Sequence, residues 1–141
     1  MPADALRRFT PTPFKASFAL DGVNVVVATN LQFLMHRLWD AWGSAAPEPA
    51  GCSVFDWRVV VEPNDRLQPE STSNHYLSHD GLALITIGQN SFFACDLTTR
   101  EGFGFISEDL VDSEELFHRN LLPAFVALVK AAADLTSASG C

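Results

Sequence analysis

NHYLSHDGLALITIGQNSFFACDLTTREGFGFIS, residues 74–107, decides the fold. His75 to Ser78 reads as a weak strand and His79-Asp80-Gly81 as a turn. Leu82 to Ile87 is a strong strand, and Gly88-Gln89-Asn90 turns the chain again. Ser91 to Leu97 is the third run, Thr98 to Arg100 the third turn, and Glu101 to Ser107 the fourth run. Turn signals at spacings of about eight to ten residues between such runs predict an antiparallel meander. In Gly102-Phe103-Gly104-Phe105 the two glycines leave one face of the last strand bare, so something is predicted to pack closely there.

Upstream, Phe14 to Leu20 alternates apolar with polar residues in the manner of a half-buried strand. Asp21-Gly22 is a two-residue hairpin signal, since both central positions of a type I′ turn need positive φ. Val23 to Ala28 returns as a β-branched strand. Thr29 or Asn30 can cap a helix whose apolar face is Leu31, Leu34, Met35, Leu38, Trp39 and Trp42, and Gly43 stops it. Residues 43–51 form a loop, Val54 to Glu62 a nearly continuous apolar strand, and residues 63–73 a polar loop.

Downstream, Asp112-Ser113-Glu114-Glu115 is a helix-capping signal with acids facing the helix dipole. The helix runs to about Leu135 and contains Pro123, which removes a hydrogen bond and clashes with the preceding turn. Two helical pieces, or one kinked helix, are predicted. The whole is an α+β fold: an antiparallel sheet made of a hairpin plus a meander, with two main helices packed on it, the second kinked at Pro123. A flexible segment 1–13, a single domain 14–135 and a tail 136–141 divide the chain. Leu121, Leu122, Phe125, Val126, Leu128 and Val129 cover more than half the circumference of the last helix. That predicts cover on a second side, by another copy of the chain or by a docked domain, and a two-fold dimer of the isolated chain.

Bulk properties narrow the function. The 141 residues carry a formal net charge of −8, which opposes nucleic acid as a partner because phosphates are neutralised by Lys and Arg. Cys52, Cys95 and Cys141 are an odd number with wide spacing and no CxxC, so neither a zinc ribbon nor a redox pair is indicated; Cys95 reads as a small core residue. MPADALRRFTPTP has no apolar signal-peptide core, and no apolar run approaches the ~20 residues of a membrane span. A reducing cytoplasm is the expected location.

Candidate chemistry is sparse. His75 and His79 share a face of a strand but lie ~13 Å apart, too far for one metal unless the turn curls them together with Asp80. His36 lies off the helix stripe, and His118 lies beside Phe117 near the kink. Glu114 and Glu115 suit helix capping better than acid–base catalysis, and Ser107-Glu108-Asp109 with Asp112 is an acidic linker. No nucleophile elbow and no phosphate loop occurs. Catalytic, cofactor-binding and metal-ligating residues are therefore all assigned as none, and no cofactor is expected.

The stretch Asn74 to Lys130, with Leu121-Leu122-Pro123-Ala124-Phe125 in its helix, resembles the region ahead of the kinase core in HPr kinase-like bacterial proteins. Residues 14–135 are compatible with that region in pattern and order. In that family the phosphate loop follows this region, so no catalytic residue carries over. The resemblance implies a non-catalytic N-terminal accessory domain, excised or stand-alone, serving partner or substrate presentation or assembly. The alternatives are a stand-alone protein-interaction or small-ligand-binding module, and a small enzyme centred on His75, His79 and His118.

Overall fold

The computed structural model describes residues 11–20, 23–43, 54–63, 73–88 and 91–138. Seven strands form one sheet: β1 (Phe14–Leu20), β2 (Val23–Thr29), β3 (Val54–Glu62), β4 (Asn74–His79), β5 (Leu82–Ile87), β6 (Ser91–Asp96) and β7 (Glu101–Ser107). Their order across the sheet is β1-β2-β3-β7-β6-β5-β4. The fold is α+β, and the sheet is mostly antiparallel. β3 is the exception: it runs parallel to both neighbours, β2 and β7. It is reached from β2 through a helix, and a parallel pair needs such a crossover. Its central position explains its apolar run, since Phe55, Trp57, Val59, Val60 and Val61 are all buried.

Local chemistry sets the turns. Asp80 and Gly81 join β4 to β5 with φ values of 50° and 81°, the two positive values that a type I′ turn requires. The other such dipeptide, Asp21-Gly22, lies outside the described residues; the register Leu20↔Val23 brackets it. Between β6 and β7, Asp96 Oδ1 accepts from the backbone N–H groups of Thr98 (2.9 Å) and Thr99 (3.2 Å), and Arg100 takes a φ of 59°. The loops read at 43–51 and 63–73 lie almost wholly outside the described residues, as do Gln89 and Asn90.

Helix α1 (Gln32–Trp42) buries Leu34, Met35 and Leu38 and ends at Gly43, φ 73°. Neither Thr29 nor Asn30 is its N-cap residue; that position is Leu31, which makes no side-chain cap bond. Asn30 instead grips β3: its Nδ2 donates to Val61 O (3.0 Å) and its Oδ1 accepts from Val61 N–H (2.7 Å). The side chain thus mimics one more rung of the β2–β3 ladder.

After β7 come α2 (Asp109–Asp112), α3 (Glu114–Leu116), a wide π turn (Phe117–Leu121) and α4 (Leu122–Ala138). Ser113 Oγ accepts from Leu116 N–H and caps α3. The irregularity expected at Pro123 falls in the turn before it, where Leu122 N–H bonds to Phe117 O, five residues back. Widening that turn moves the carbonyl that the proline ring would strike. The helix also outlasts its expected end near Leu135, reaching Ala138.

All helices pack on one face of the sheet. Trp57 stacks on Phe55 (4.9 Å) and meets Phe93 (5.4 Å) and Phe125 (5.3 Å) edge-on. Gly102 and Gly104 point to this same face, where an added Cβ would collide with the rings of Trp57 and Phe93 respectively. The bare strand face read from the sequence is filled by those two rings.

Candidate functional site

The opposite face of the sheet is built by the alternate residues of β4 to β7. Strand register sets them in rows. Leu77, Leu84, Ala94, Phe103 and Arg58 lie side by side across β4, β5, β6, β7 and β3. One row along lie His79, Leu82, Asp96, Glu101 and Asp56; on the other side lie His75, Thr86, Phe92 and Phe105. Among the described residues no helix covers this face.

The first two rows, from β4 to β7, line a shallow groove of about 890 Å³. Leu77, Leu84, Ala94 and Phe103 form an apolar floor, and His79, Asp96, Thr99 and Glu101 a polar margin. Phe92 abuts Phe103 and Phe105, with centroids 6.1 and 6.2 Å apart. Arg58 sits over the Phe103 ring at 5.7 Å. A smaller recess of about 280 Å³ adjoins it through Glu101 and Gly102, and Lys15, Asp56 and Arg58 line it. The margin of the larger groove carries two carboxylates, Asp96 and Glu101, beside His79.

The residues weighed from sequence do not assemble. His79 Nε2 lies 3.0 Å from Asp80 Oδ2, but both side chains are almost fully solvated, where such a pair contributes little. His75 Nε2 lies 3.3 Å from Ser73 Oγ. His118 and His36 are exposed and set their rings against Phe117 and Trp39. No contact joins any two of these histidines, and among the described residues no three His, Cys, Asp or Glu side chains form a metal-holding group. Glu114 and Glu115 are exposed in the first turn of α3. Cys95 is buried, and burial, with Asp96 adding to it, pushes its thiol up to about 12; it is no nucleophile near neutral pH. Cys52 and Cys141 lie outside the described residues.

The apolar circumference of the last helix has a different outcome from the one expected. Leu121, Phe125, Leu128 and Val129 are fully buried within one chain, and Leu122 and Val126 are half-buried. The sheet, α1 and α2 cover them, so the burial argument for a partner at this helix loses its premise. Among the described residues, the apolar groove floor on the other face is what the helices leave uncovered instead. Its signal was present in the sequence: β5, β6 and β7 are apolar at both alternating sets of positions, as in Leu82 and Leu84 beside Ile85 and Ile87. A strand with one solvated face should show polar residues there.

No described helix is long and apolar enough to cross a membrane. Compared with known proteins, the chain matches no family model, no curated protein and no solved structure.

Proposed function

We propose that the chain is a non-catalytic protein-interaction domain whose working surface is the groove on the helix-free face of β4 to β7. One observation carries this reading: an apolar floor of Leu77, Leu84, Ala94 and Phe103 stands uncovered by any described helix, on a sheet whose other face buries its core residues in every described strand but β4. Exposed apolar patches rimmed by polar groups mark interaction sites. The margin of Asp96 and Glu101 favours a partner segment that lays an apolar stripe on the floor and places basic residues beside it.

Calorimetric titration with a short amphipathic helical peptide of leucine and lysine tests this. Saturable binding with a negative heat-capacity change marks apolar burial, and Ala94→Arg, which fills the floor, should abolish it. A peptide of the same composition scrambled to lose its apolar stripe controls for charge alone. Equal binding of both peptides, or no effect of Ala94→Arg, would sink the reading.

The narrower role, an accessory domain presenting a partner to an HPr kinase-like catalytic domain, rests on the resemblance of Asn74 to Lys130 and its Leu121-Leu122-Pro123 helix. A phosphate-loop pattern GxxxxGK[ST] encoded within a few tens of residues of this stretch would support it. Co-purification of the chain with such a domain, lost in Ala94→Arg, would join the two readings.

A further inference from the structure

We infer that the outer edge of β4 is a strand-pairing site for a second copy of this chain, giving a two-fold dimer with one continuous sheet. In an antiparallel ladder, alternate residues of an edge strand turn their N–H and C=O groups outward. Among the described residues no backbone group pairs with that edge of β4, and all six of its residues are exposed. Folded proteins protect such edges with lysine, proline, bulges or a covering element. β1, the other edge, has Lys15 within it and follows Pro11 and Pro13. β4, Asn74-His75-Tyr76-Leu77-Ser78-His79, has no lysine, no proline, and an unbroken register with β5.

Exposed apolar side chains gather on this edge strand and at the start of its neighbour β5. Tyr76, Leu77 and Leu82 are 48%, 65% and 57% exposed, the three highest values among the large hydrophobic residues described. The edge is also held in place, because Asn74 and Asn120 exchange hydrogen bonds of 2.9 and 2.8 Å that tie the start of β4 to the π turn.

Symmetry and the absence of carboxylates on β4 fit a second copy as the occupant. A chain of net charge −8 repels its own copy over much of its surface, whereas β4 contains no carboxylate. A two-fold axis perpendicular to the sheet makes the two β4 strands antiparallel, continuing the meander, and keeps both sets of helices on one side. Residues of the same face then oppose one another. With the axis at Leu77, that side chain meets its own counterpart, and His75 meets the second copy's His79. Leu77 ends the groove floor in one chain; in the pair the floor runs on into the second copy. The pairing stands apart from the binding role proposed for the groove, and its test separates the two.

Sedimentation velocity of the full chain over a wide concentration range, with hydrogen exchange at both ends of that range, tests the pairing. The expected result is a monomer–dimer equilibrium in which β4 amides exchange more slowly as dimer accumulates. Leu77→Lys should weaken association on the order of tenfold, because it removes an apolar contact and opposes two like charges. Ala94→Arg, which blocks the groove, should leave association unchanged. A monomer at every concentration would overturn the inference, and so would association that leaves β4 amides as fast as before. A monomer whose β4 amides are already slow would place another stretch of the same chain along the edge, which also overturns it. Exchange in the unaltered chain decides the matter even if Leu77→Lys fails to fold.

Discussion

Gly102 is filled by its neighbour: the Trp57 ring occupies the place of a side chain. Gly102→Ala should therefore overpack the core and cost about 1–3 kcal/mol, read as a lower denaturation midpoint; an unchanged midpoint would show that the ring has room to move. That a strand face was bare was legible in Gly102-Phe103-Gly104-Phe105, although the identity of the filling ring was not. Asn30 shows the opposite case. Its place just before an apolar-periodic run suggests a cap, yet its bonding partner Val61 is 31 residues away, and local pattern carries no trace of that. Asn30→Ala leaves two backbone groups of Val61 without this partner, and a loss of about 1–3 kcal/mol is expected. Cys95 has a pH signature. Its thiol rises from 9.0 to about 12 in the folded chain, so folding favours the neutral form. That contribution is intact below pH 9 and is lost as pH climbs toward 12. The thermal midpoint should fall across this window more steeply in the parent than in Cys95→Ala, and parallel curves would contradict the assignment.

At the scale of elements, the sequence is most informative where the signal is local. Asp80-Gly81 forms its turn and Ser113 caps α3, because each needs only residues within a few positions. Pro123 announced an irregular helix, but the widening at Phe117–Leu121 depends on what that turn touches. Phe117 and Leu121 must both reach the core, and Asn120 must reach Asn74 on β4. The last contact couples the π turn to the sheet edge. Asn120→Ala should cost about 1–3 kcal/mol through the loss of buried hydrogen bonds, and amide exchange should quicken at the start of β4 more than in β6. Uniform acceleration across the sheet would mean that Asn120 supports the core generally and does not hold β4.

Among the described residues, the sheet packs its core under helices on one face, and the other face, over β4 to β7, has an apolar floor beside the carboxylates of Asp96 and Glu101 and no helix over it. The α+β class followed from the meander and the amphipathic α1. The parallel alignment of β3 with β2 and β7 did not, because it pairs strands far apart in sequence and no turn encodes it. The groove was hidden for a related reason: double-faced apolar strands read as buried ones until the placement of the helices shows which face they cover. This asymmetry also moves the expected contact surface from the last helix to the sheet, since one chain buries Phe125 and Leu128 by itself. The central claim is that this helix-free face is where the protein meets its partner. Mapping backbone and methyl shifts by NMR while titrating the amphipathic leucine–lysine peptide tests it most directly. Saturable shifts confined to Leu77, Leu84, Ala94, Phe103 and their strand neighbours, absent in Ala94→Arg, are the expected result. Shifts centred on α1 or α4, or none at saturating peptide, would contradict it.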